Sequence, residues 1–102
     1  MPLEAPGGPL KTTYGFIGEE LSKSHSYANW LAKRSLTADT ITAEVSDTDI
    51  LAYTTEGTGN GVWSGEVRLL KEGQANLILT LSAGGRVKKT VFKYVVRDPQ
   101  DA

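Results

Sequence analysis

Hydrophobic and polar residues alternate with a period of two through most of this chain from Thr40 onward, the pattern of strands that bury one face. Ile41, Ala43 and Val45 alternate with Thr40, Thr42 and Glu44, and Ser46 to Asp49 ends that strand with turn residues. A second short strand is predicted at Ile50 to Thr54. Beyond the glycine-rich segment Gly57-Thr58-Gly59-Asn60-Gly61, a third runs from Val62 to Leu70, and Lys71-Glu72-Gly73-Gln74 supplies the next turn. Ala75 to Ser82 then sets Ala75, Leu77, Leu79 and Leu81 on one face and Asn76, Ile78, Thr80 and Ser82 on the other, the strongest core strand of the sequence. Ala83-Gly84-Gly85-Arg86 reads as a tight hairpin, because paired glycines allow the primed turns that match strand twist. Val87 to Arg97 returns, and Asp98-Pro99 stops it.

The first third is less regular. Pro2, Pro6 and Pro9 with Gly7 and Gly8 fix extended backbone at some points and free it at others, which predicts an arm needing an external partner for order. Tyr14, Phe16 and Ile17 suggest a short extended segment, and Tyr27, Trp30, Leu31 and Arg34 lie near helical spacing, predicting a helical turn over 27–34. The expected organisation is an extended N-terminal arm over 1–18 and one β-sandwich domain over 19–102. Strands separated by turns, with no long amphipathic helix, predict an all-β fold, an immunoglobulin-like antiparallel sandwich of about seven strands. A small OB-type barrel is the alternative.

Composition narrows the chemistry. In 102 residues, 39% apolar and 8% aromatic side chains suffice for one small core, and a formal net charge of −1 gives no global field for nucleic acid or an anionic membrane. With no cysteine there is no disulfide, thiolate nucleophile or Cys-based metal site. Neither a signal peptide nor an apolar run approaching ~20 residues is visible, so synthesis in a host cytoplasm is expected. His25 is the single histidine, has no partner histidine, and sits in Ser24-His25-Ser26, a stretch that reads as a solvated turn. The glycine-rich segment precedes a strand rather than the helix a phosphate cradle requires, so it reads as a mobile loop. Asp47-Thr48-Asp49 lacks the glycine and terminal glutamate of a calcium loop and reads as turn chemistry. No enzyme, cofactor or metal is expected. Arg86, Lys88, Lys89, Lys93 and Arg97 alternate imperfectly with apolar residues and are expected on the wet side of a strand, guarding an edge rather than binding nucleic acid.

Two sets of residues carry a resemblance. Ser46-Asp47-Thr48-Asp49-Ile50-Leu51-Ala52-Tyr53 with Glu72-Gly73-Gln74-Ala75-Asn76-Leu77-Ile78-Leu79-Thr80 resembles the bacterial Ig-like domains of adhesins and phage virion proteins. Tyr27-Ala28-Asn29-Trp30-Leu31-Ala32, then Ala38-Asp39-Thr40-Ile41, and finally Leu79-Thr80 with Gly85-Arg86 resemble small Ig-like virion proteins of tailed bacteriophages, with Asn29 where that tract has aspartate. The resemblance implies a non-enzymatic structural protein of a virion, either capsid decoration or an adaptor between head, tail and fiber components. Its partners would be phage capsid or tail proteins, with many copies per particle and possible homo-oligomers, and without nucleic acid or membrane. Leu3, Leu10, Tyr14, Phe16 and Ile17 are the apolar groups the arm would bury on such a partner. The competing reading is a carbohydrate or cell-surface recognition module, using Tyr53, Trp63 and the 55–61 loop as contacts.

Overall fold

The computed structural model describes residues 11–101, whose seven strands form two facing sheets. One sheet has four strands in the order β1 (Lys11–Phe16), β7 (Arg86–Arg97), β6 (Gly73–Ala83) and β3 (Thr40–Val45). The other has three, β2 (Glu20–Ser26), β5 (Val62–Leu69) and β4 (Leu51–Gly57). All pairings are antiparallel except β1 with β7, which is parallel from Lys11↔Phe92 to Phe16↔Arg97. This is the two-sheet sandwich that the alternating pattern predicts, and the barrel alternative falls away.

The inward faces carry the apolar half of each alternation. Leu77, Leu79 and Leu81 of β6 are fully buried, facing Leu51, Trp63, Val67 and Leu69 of the three-stranded sheet in one continuous core. The β6–β7 hairpin turns through Gly84 and Gly85 at φ 54° and 80°, the left-handed conformations that a two-residue primed turn demands. A short helix, α1 (Ala28–Lys33), bridges the sheets at one end and buries Leu31. It ends because Ser35 takes φ 52°, letting Ser35 and Leu36 donate back to the Ala32 and Leu31 carbonyls.

Three expectations are corrected here. The N-terminal arm does not run to residue 18: Lys11–Phe16 is a sheet strand, since parallel pairing to β7 satisfies its backbone. Residues 1 to 10, with Leu3 and Leu10, lie outside the described residues. The basic strand β7 is an edge only in part: β1 covers it over Phe92–Arg97, where Lys93 and Arg97 lie, whereas Arg86–Val91, with Arg86, Lys88 and Lys89, has only β6 beside it among the described residues. The Ser24-His25-Ser26 turn is instead the end of strand β2.

Two substitutions test the packing. Leu79→Ala should lower the unfolding free energy by ~2–5 kcal/mol in denaturant titration, the cost of a cavity in a close-packed core. Gly65→Ala should cost at least ~2 kcal/mol although it adds one methyl, because a Cβ there would meet the Trp63 ring at 2.8 Å and the Thr54 carbonyl closer still.

Candidate functional site

The outer face of the four-stranded sheet gathers the exposed aromatic residues of β1. Parallel pairing sets Tyr14 beside Val95 and Phe16 beside Arg97, and strand alternation turns Thr13 and Gly15 inward and Tyr14 and Phe16 out. Tyr14 is 66% exposed and Phe16 39%, with Val95 and then Gln74 across the sheet from Tyr14, and the half-buried pair Val91 and Ile78 lies on the same face four residues further along β7. An open groove of about 330 Å³ adjoins Phe16, lined by Glu72, Gly73, Gln74, Val95, Arg97 and Asp98 among others. Ile17 is half-buried and belongs to the crossing between sheets: its N–H donates to the Arg97 carbonyl at 3.0 Å, and the next, Gly18 N–H, donates to Leu69 of the other sheet at 2.8 Å. Of the predicted contact residues, the structure thus brings Tyr14 and Phe16 together on a surface and assigns Ile17 to packing.

The two predicted loop contacts are structural. Trp63 is 0% exposed, with its Nε1 donating to Thr55 Oγ1 at 3.1 Å, so it is corrected from a ligand contact to the central core side chain. The parity it shares with Val67 and Leu69 was the signal for this. Tyr53 is 39% exposed, yet its hydroxyl donates to the Ala43 carbonyl at 2.6 Å, tying β4 to β3 across one open side of the sandwich. The glycine-rich segment also differs from a mobile loop at its end, where buried Gly61 accepts from the Tyr27 N–H at 2.8 Å.

The opposite side of the sandwich has different chemistry. The inward positions of β2 are Leu21, Lys23 and His25, all half-buried. Lys23 Nζ sits 3.8 Å above the Phe92 ring, and the His25 ring packs edge-on against Tyr27 and Phe92 at centroid distances of 4.7 and 5.3 Å. Burial foremost, then the charges of Lys23 and Lys88, hold the His25 imidazole below its usual pKa of 6.5. Next to it the Tyr27 hydroxyl donates to buried Thr90 at 2.7 Å, and burial raises the Tyr27 pKa.

The tracts that carry the resemblance to small phage virion proteins, Tyr27–Ala32, Ala38–Ile41 and Gly85-Arg86, gather at one end of the molecule. Trp30 of α1 is half-buried under the Arg34 guanidinium, 4.4 Å from its ring. Asp39 Oδ2 accepts from the Gly84 N–H at 3.1 Å, so the aspartate of the Ala38–Ile41 tract steadies the hairpin of the Gly85-Arg86 tract. At the other end Asp47 Oδ1 accepts from the Asp49 N–H at 2.9 Å, the local turn its spacing predicts. No group of three or more His, Asp or Glu side chains able to hold a metal ion occurs among the described residues.

No protein-family model matches this sequence, and no curated protein matches it. Several solved structures share its fold at low identity. The S-layer protein rSbsC(31-844) superposes over 84% of this chain and 12% of its own, with 14% identity and a TM-score of 0.55. The cysteine protease inhibitor EhICP2 from Entamoeba histolytica matches over 87% of both chains at 12% identity and a TM-score of 0.53. The endo-beta-1,4-mannanase from Thermotoga petrophila matches over 84% of this chain and 18% of its own, at 16% identity and a TM-score of 0.53. This chain therefore spans a small fraction of the S-layer protein and the mannanase and nearly all of the inhibitor. Identities this low establish a shared sandwich fold.

The His25 environment makes a pH prediction. Its native pKa is below the unfolded value, so the unfolded chain binds the proton more readily. Stability from this group is fully present above about 6.5 and declines as pH falls below it. Denaturant titrations from about pH 7.5 down to 5.5 should show that decline, and His25→Phe should flatten it within this window, above the range where carboxylates dominate.

Proposed function

We propose that this chain is a non-enzymatic structural protein of a tailed-phage virion, a capsid decoration or a head, tail or fiber adaptor, seated on the particle through the outer face of its four-stranded sheet. The observation that carries this reading is the exposure of Tyr14 and Phe16 side by side on β1, next to the groove under Phe16. Fully burying one such side chain is worth about 1.5–3 kcal/mol, so two of them with the flanking Val95 make a useful contact of modest size. A modest contact suffices where many copies repeat it and neighbouring subunits also touch. Residues 1 to 10, with Leu3 and Leu10, supply further apolar groups for the same attachment.

The strand order, with β1 beside β7 in one sheet and β2, β5 and β4 in the other, supports the immunoglobulin-like form of the sandwich that the sequence tracts imply. The recognition-module alternative is less favoured, since Trp63 is buried and the Tyr53 hydroxyl is engaged by β3.

Particle composition tests the proposal. Mass spectrometry of purified virions should find this chain in multiple copies, and its recovery only as free protein would overturn the reading. Tyr14→Ser with Phe16→Ser should abolish attachment of added protein to particles while changing unfolding free energy by no more than about 1 kcal/mol, because both residues are exposed.

A further inference from the structure

Two strands are left open on the same side of the sandwich. Among the described residues β2 has β5 on one side and no strand on the other, and β1 covers β7 only from Phe92 onward. Among the described residues the stretch Arg86–Val91 is therefore paired to β6 alone. The two open strands face each other there, since Lys23 and His25 of β2 rest on Phe92 and Tyr27 at its end reaches Thr90. The bare stretch is about six residues, or ~20 Å, which is the length of a short strand continuing the line of β1.

This flank carries charge of one sign. Arg86, Lys88 and Lys89 stand on it, Lys93 follows, and the sequence from Arg86 to Arg97 contains no acid. Lys23 approaches from β2 on the inner side. Lys23 and Lys88 already have contacts of their own, so exposed Arg86 and Lys89 are the cations on which the argument rests. Alternation puts Arg86 and Lys88 on one face of β7 and Lys89 on the other, so a strand laid beside them would meet a cation on both of its faces.

We propose that this flank accepts, by strand addition, an extended acidic segment of a partner protein. The unpaired N–H and C=O groups of Arg86–Val91 supply the hydrogen bonds of the added strand, and its carboxylates answer the cations on either face. The chain's own residues 1 to 10 match this chemistry poorly, because Pro2, Pro6 and Pro9 have no N–H to donate and Glu4 is their single acid. This edge lies along β7 beyond the residues that pair with β1, although Lys89 shares the outer face of Tyr14 and Phe16, and the proposal does not depend on which assembly the protein joins.

The test uses the full chain, labelled for amide NMR, with two synthetic eight-residue peptides that alternate valine with glutamate or valine with lysine. The glutamate peptide should shift the amides of Arg86–Val91 and slow their hydrogen exchange, with affinity falling about tenfold between ~0.05 and ~0.3 M salt. Arg86→Glu with Lys89→Glu should weaken it by about tenfold or more, whereas Lys71→Glu, in the turn at the other end of β7, should leave it unchanged. Four results would overturn the proposal: equal binding of the lysine peptide, binding of neither, shifts centred on Tyr14 and Phe16, or Arg86–Val91 amides already protected through both edges in the free chain. The second would mean that the cations only repel strands from an edge, and the last that the chain fills the flank itself.

Discussion

The Trp63 indole lies fully buried between the two sheets, and the space and hydrogen bond it requires set the structure around it. Its ring occupies the volume over Gly65, two residues along the same strand, where even one methyl would collide. Its N–H needs an acceptor where the ring meets the edge of the core, and exposed Thr55 on the neighbouring strand provides one at 3.1 Å. The β4–β5 register slips between Thr55 and Gly57, next to that hydrogen bond. Opposite the ring's sheet, Leu77, Leu79 and Leu81 complete a core that has no cysteine to staple it, so packing carries the stability of the domain.

A sandwich of two open sheets has two sides along which the layers could part, and this chain treats them differently. On one, Tyr53 spans from β4 to the Ala43 carbonyl of β3, a direct hydrogen bond between the layers. On the other, β2 offers Lys23 and His25 where an aliphatic pair would seal the core, and these rest on Phe92 through cation–π and edge-on ring contacts. The first side is closed by the hydrogen bond of a part-exposed tyrosine, and the second by the buried Tyr27–Thr90 hydrogen bond together with ring and cation contacts of Lys23 and His25 that respond to charge. The second side is also where β7 extends beyond the cover of β1. Both the acid sensitivity of His25 and the capacity to take an added strand follow from that one arrangement.

The parallel pairing of β1 has a similar double effect. It places Thr13 and Gly15 over the core and leaves Tyr14 and Phe16 outside, so a strand that completes the sheet also displays the largest exposed aromatic pair on it. Gly15 is small because Leu69 of the opposite sheet approaches the position a Cβ would take. Closure of the fold and presentation of the proposed docking face are two faces of one strand.

The alternation of Ile41, Ala43 and Val45, the leucines of Ala75 to Ser82 and the paired glycines at 84 and 85 determined two strands' facing and one hairpin before any tertiary contact was known, because side-chain parity and turn geometry are local properties. The same parity contained the burial of Trp63, although an aromatic residue beside a glycine-rich segment also suggested a ligand contact. Strand β2 was illegible for a physical reason: Ser22, Ser24 and Ser26 alternate with Lys23 and His25, so both faces are polar and the period of two has no hydrophobic amplitude. Only the tertiary structure decided that Lys11–Phe16 joins the sheet, since its partner, Phe92–Arg97, is distant in sequence and a parallel pairing leaves no local turn to announce it. Tyr14 and Phe16 were legible as apolar contact residues, but the same distance hid their place on the outer face of a sheet and the open cationic flank, because which side of β1 is wet, and how far it shields β7, are fixed by the register between two remote segments and by neither segment alone.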